Sequence, residues 1–125
     1  MLLPFALFLA ISCSFGPDPG EVAAQSAKQY YDYLVEEKYD AFVDGQYHAD
    51  SLPDEYRNQL IANAKMFVAK QQQDHRGIRH VQVVQGKVDS TKQQAEAFLM
   101  LTYGDSTSEE VLVPMVLKNG LWYLR

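Results

Sequence analysis

Few residues in this chain have the type and placing for acid–base work. Glu96 is the one acid well inside an alternating apolar stretch; Tyr103 lies a strand length away and His80 in the preceding stretch. A carboxylate base with a phenol as oxyanion donor is a workable proton-transfer pair. Side-chain alternation, however, sets Glu96 and Tyr103 on opposite faces of one strand, so they share a pocket only if a bulge intervenes. Glu96 therefore reads as a solvated strand residue. His48, His75 and His80 are the only histidines, and neither a helical His pair nor a Cys/His cluster is present to hold zinc. The serines stand in turn contexts without nucleophile-elbow glycines, and no glycine-rich loop is shaped for phosphate. The sequence thus assigns no catalytic residue, no metal ligand and no cofactor.

Aromatic side chains are the stronger lead. Four of the eight tyrosines, Tyr30, Tyr31, Tyr33 and Tyr39, fall close together, more than one buried stripe absorbs. Tyrosine offers broad apolar area with a polar tip, which suits pockets and interfaces as well as cores. The candidate pocket or interface residues are Tyr30, Tyr31, His80, Tyr103 and Trp122, with core packing as the competing role for the tyrosines and the tryptophan.

The only cysteine, Cys13, has no partner for an intramolecular disulfide and directly follows an uncharged apolar run, LLPFALFLAI, and Ser12. Ten helical residues extend about 15 Å, half of a roughly 30 Å hydrocarbon layer, so the run reads as a cleaved export leader rather than a permanent span. A thiol after a short apolar stretch and small residues resembles the bacterial lipoprotein signal. That resemblance implies removal of residues 1–12, acylation of Cys13 with palmitate-type chains, and a position in the cell envelope facing the periplasm or exterior. Two or more chains make such attachment lasting, since each buried CH₂ contributes ~0.8 kcal/mol. Residues 13–21 follow as a tether rich in proline and glycine, SFGPDPGE after the cysteine, with no fold expected of it.

The chain has 125 residues, 47% hydrophobic and 22% charged, with a net charge of −5. This is globular composition, and residues 22–125 suffice for one domain with its own core. The eleven basic residues are scattered, which argues against nucleic acid and against a polybasic membrane patch.

Positioning the candidate residues falls to helices first and strands after. Ala23, Ala27, Tyr30, Tyr31 and Leu34 recur at three- and four-residue spacing across residues 22–39, the mark of an amphipathic helix; Tyr39, Phe42 and Val43 continue to Gly45 as a second short segment. Ser51, with Pro53 and Asp54 after it, suits a helix start. That helix is expected to reach about Gln73 with the stripe Tyr56, Leu60, Ile61, Ala64, Phe67 and Val68, and to stop by Gly77. From Ile78 the period becomes two. Strands are expected at 78–88, 95–103, 111–118 and 121–124, the last two joined by the tight-turn pair Asn119-Gly120. Short connections throughout imply an antiparallel meander, and Pro114 places the third strand at an edge or a bulge.

The expected class is α+β: two to three N-terminal helices on a curved four-stranded antiparallel sheet, the helical stripes covering its concave face. Here the chain resembles the nuclear transport factor 2-like superfamily, in particular its small lipoproteins of unknown function. The resemblance rests on the helical residues 30–42, on Ala95, Ala97 and Leu99 alternating, and on the closing LKNGLWYL at 117–124. It implies a cone-shaped fold with a pocket between sheet and helices, where ketosteroid-isomerase-like relatives use a carboxylate with a Tyr or protonated Asp.

Three readings follow. The first is a non-catalytic domain, anchored to the membrane, that binds a small ligand or an envelope protein. An isomerase or dehydratase with a pocket carboxylate is the second. The third is a structural homodimer joined through an apolar outer patch of Phe98, Met100 and Val116.

Overall fold

The computed structural model describes residues 18–125, so the leader, Cys13 and the first part of the expected tether lie outside the described residues. Three helices, α1 (Pro19–Val35), α2 (Tyr39–Asp44) and α3 (Asp54–His75), precede four strands, β1 (Ile78–Val88), β2 (Gln94–Tyr103), β3 (Ser108–Lys118) and β4 (Leu121–Leu124). The strands form one antiparallel sheet in the order β1-β2-β3-β4, so the expected α+β meander is the architecture found.

Helix α1 starts earlier than its apolar spacing suggests. Asp18 caps it by accepting a hydrogen bond from the Glu21 amide at 3.1 Å, and Pro19 occupies the first turn, where its missing N–H costs nothing. Pro19, Gly20 and Glu21, expected in the tether, are therefore helical, and Gly20 is buried. The helix closes at Glu36, Glu37 turns the chain with φ of 60°, and α2 begins two residues later at Tyr39.

Gly20 lies against Gly86 of β1 so closely that a Cβ on either would strike the other's carbonyl. Along the same face Ala23, Ala24 and Ala27 press on a sheet surface that is itself small there, with Ala95 and Ala97. Larger side chains, Val81, Leu99, Leu101, Met115 and Trp122, fill the core further along. Alternation in β2 is regular: Ala95, Ala97, Leu99, Leu101 and Tyr103 are buried on this inner face, while Glu96 is exposed on the other. The sheet is not equally regular in β1, where the register slips between Ile78 and His80 and again between Val83 and Gln85.

Because α1 covers the inner face, α3 does not. It leans on α2 and meets the sheet at β1 and, through the His75 ring, at Tyr103 of β2. Of its expected stripe only Ala64 is buried; Tyr56 is 51% exposed and Phe67 38%. Nor does Ser51 cap this helix: Pro53 holds the N-cap position, and Asp54 and Glu55 complement the dipole instead. At the far end Arg76, with φ of 65°, closes the helix past His75, two residues beyond Gln73.

Pro114 occurs where an edge begins. β4 pairs only with the segment from Met115 to Lys118 of β3, leaving residues 108–113 without a second strand neighbour. The Asn119-Gly120 turn takes positive φ at both residues, 51° and 80°, as a tight hairpin requires.

The Gly20–Gly86 contact makes a test of the fold. Gly86→Ala is expected to lower unfolding stability by about 2 kcal/mol in urea titration, an overpacking cost, with the helical circular dichroism retained. A midpoint equal to that of the parent would show that the two backbones do not constrain each other.

Candidate functional site

Incomplete coverage by α3 leaves an opening. Between α1, α2 and α3 lies a cleft of about 270 Å³, walled by Tyr31, Leu34, Phe42, Leu60, Ala64 and Phe67, with Gln46 and Asn63 as its polar groups. Tyr31 and Phe42 meet edge to face, centroids 6.3 Å apart at 86°, an arrangement that fixes both rings. Burial pushes the Tyr31 hydroxyl above its ordinary pKa, so it stays protonated.

The same Tyr31, Phe42 and Gln46 also border a neighbouring groove of about 410 Å³, whose other sides are Tyr47, His48, Leu112, Val113, Pro114, Leu124 and Arg125. Gln46 is held there by a parallel bridge to Leu124, through Tyr47 N–H to Leu124 O at 2.8 Å and Leu124 N–H to Gly45 O at 2.7 Å. His48 has its Nε2 enclosed with no hydrogen-bond partner among the described residues, and its ring stands edge-on to Tyr56 at 6.4 Å. A more polar depression of about 560 Å³ follows the loop from Gln46 to Leu52, with Arg57 and Lys118 on its rim.

A second cluster ties the end of α3 to the β2–β3 hairpin. The His75 ring stacks on Tyr103 with centroids 4.4 Å apart, and its Nδ1 lies 3.1 Å from Asp105 Oδ2. Asp105 also accepts from the Thr107 hydroxyl and amide, which with His75 holds its pKa down at about 2. The Tyr103 hydroxyl donates to Glu109 Oε1 at 2.8 Å. Burial above all, then this bond and the charge of Glu109, pushes the Tyr103 pKa up to about 12.

The candidate residues are dispersed by the fold. Tyr31 lines both the cleft and the groove. Tyr30 instead donates to the Trp122 carbonyl at 2.6 Å, and Trp122 is buried in the core. Tyr103 is 3% exposed and bonded to Glu109. His80 is exposed at the β1 edge beside Glu21, Gln25 and Lys28 of α1. Glu96 and Tyr103 stand on opposite faces, as alternation requires, so no acid–phenol pair forms between them. Among the described residues no group of three or more His, Cys, Asp or Glu is placed to hold a metal ion.

Glu109 was not visible as Tyr103's partner from the sequence, because β3 begins at Ser108 rather than 111. Leu101 opposes Glu109 across the ladder, which puts Glu109 on the inner face diagonal to Tyr103. Phe42, Gln46, His48, Leu60 and Phe67 were likewise not singled out as site residues, although Phe42, Leu60 and Phe67 stood in the apolar periodicity. On the outer sheet face Val116 is 7% exposed and adds little surface, while Leu112 joins the half-buried Phe98 and Met100.

Three helices packed on an open four-stranded antiparallel meander match a nuclear transport factor 2-like α+β fold. A solved structure with this fold is similar to the chain: that of a provisionally assigned NTF2-like transpeptidase from Campylobacter jejuni, at a TM-score of 0.62 and 13% sequence identity, covering 78% of this chain and 92% of that one. The likeness is one of fold. No family model matches the chain, and no curated protein matches it in sequence.

Tyr103 offers a titration test. A raised pKa in the fold means that the neutral phenol contributes stability below about pH 10, and that this contribution is lost as pH climbs toward about 12. Tyr103→Phe is expected to remove the latest-titrating component of the tyrosinate absorbance and to flatten the fall in urea midpoint over that window. Persistence of the component in the variant would assign it to another tyrosine.

Proposed function

We propose that this chain is an envelope-anchored binding lipoprotein. Its nuclear transport factor 2-like domain takes an apolar ligand, or apolar side chains of a partner, in the cleft between the three helices. The observation that carries this reading is the lining: aromatic and aliphatic walls from Tyr31, Leu34, Phe42, Leu60 and Phe67, with two neutral amides as the polar groups. Pockets of this make-up bind through burial of apolar area, and a few polar groups set orientation. No Asp or Glu side chain lines the cleft or the adjoining groove, which favours capture over proton transfer. In this reading attachment is through acylated Cys13, which directly follows the apolar run LLPFALFLAI and Ser12.

Fluorescence titration with N-phenylnaphthylamine tests the cleft. Phe67→Glu, a change at a part-exposed position, is expected to weaken probe binding at least about tenfold, or ~1.4 kcal/mol, with little change in unfolding midpoint. Equal binding by the variant, or none by the parent, would remove the cleft from consideration.

Attachment is tested separately. Mass spectrometry of membrane-extracted protein is expected to find an acylated N-terminal Cys13, and Cys13→Ala to release the protein from the membrane. An unmodified N-terminus at Ser14 or beyond would refute the anchor.

A further inference from the structure

We infer that the open stretch of β3 is a docking edge for an extended polypeptide strand of alternating basic and apolar residues. The inference rests on the cleft reading above and names the class of partner. β3 pairs with β2 from Ser108 to Val116 without a register slip, yet β4 covers only Met115 to Lys118. One hydrogen bond fixes which backbone groups are left over. Arg125 N–H donates to the Pro114 carbonyl at 3.0 Å, so the backbone of Pro114 faces away from β2. In an antiparallel ladder the N–H and C=O of one residue point to the same side and the side switches at each residue. Ser108, Glu110 and Leu112 therefore face outward as well, a short row of donors and acceptors in ladder spacing. Such a row is a template for strand addition.

The surroundings of this row specify the occupant. Across the groove from Leu112, Val113 and Pro114 stand Tyr31, Phe42 and Tyr47. An added strand would send alternate side chains inward, opposite Val111 and Val113, toward these rings and the cleft beyond. Its other side chains would lie on the outer face, beside exposed Glu110. Of the outer-face residues in the open stretch, Ser108, Glu110 and Leu112, only Glu110 is charged, so a basic residue is favoured beside it. The other open edge, β1, is a poorer template: two register slips kink it, and the polar flank of α1 stands beside it.

The test uses isotope-labelled protein and a blocked six-residue peptide alternating lysine and valine. On saturation, amide exchange at Glu110 and Leu112 is expected to slow at least about tenfold, since these donors gain partners. The same peptide N-methylated on the amides that face the edge should not bind. Glu110→Lys is expected to weaken binding about fivefold, the scale of an exposed ion pair, and a peptide alternating glutamate and valine should recover the loss.

Three outcomes overturn the proposal. Binding that shifts Leu60 and Phe67 while the Glu110 and Leu112 amides exchange as before would leave the cleft and remove the strand edge. Failure of both the peptide and N-phenylnaphthylamine would remove both. Protection of the two amides in protein alone, growing with concentration, would show that a second copy fills the edge.

Discussion

The backbone contact between Gly20 and Gly86 governs the rest of the molecule. Two glycines with three alanines on α1 and two on β2 let helix and sheet approach at the distance of main-chain atoms. Close approach of this kind is specific because it tolerates no added volume. It also occupies much of the inner face of the sheet, so α3, the longest helix among the described residues, is left to meet the sheet at β1 and, through His75, at Tyr103. α3 is held through α2 and the end of β1 and through the His75 stack on Tyr103, and its apolar stripe is left half open. The cleft is the space between a helix that fits tightly and one that does not.

Much of this was legible in the sequence, for identifiable reasons. Period-two alternation located the sheet because Ala95 through Tyr103 face a core on one side only. Asn119-Gly120 marked its hairpin because both residues must adopt positive φ. What escaped depended on competition between signals. Asp-Pro-Gly-Glu is at once a linker composition and a capped helix start, and the buried Gly20 decides for the helix. Ser108, Glu109 and Glu110 lack apolar character, so the first three residues of β3 passed for loop and the partner of Tyr103 was hidden with them. The periodicity of α3 was plain from its spacing. What that stripe would cover was not, since the answer lay in the small residues of a different helix.

The two polar clusters show how the fold places charge around an apolar opening. Tyr103 is kept neutral by burial and by Glu109, while Asp105 is kept ionised by its hairpin hydroxyl and His75. Both lie at the hairpin end of the sheet and outside the cleft lining, where they pin α3 to the strands. The cleft lining itself carries the neutral amides of Gln46 and Asn63 among its aromatic and aliphatic walls.

The early start of α1 also sets a length. Asp18 is five residues from Cys13, and five extended residues span at most about 18 Å. Any surface that holds the chain at Cys13 therefore keeps the first turn of α1 within that distance. Tyr31 stands twelve residues along the helix from Pro19, about 18 Å further at the helical rise. Tight apposition of α1 to the sheet fixes the separation between its N-terminal turn at Asp18 and the aromatic opening at Tyr31 as that of one rigid body.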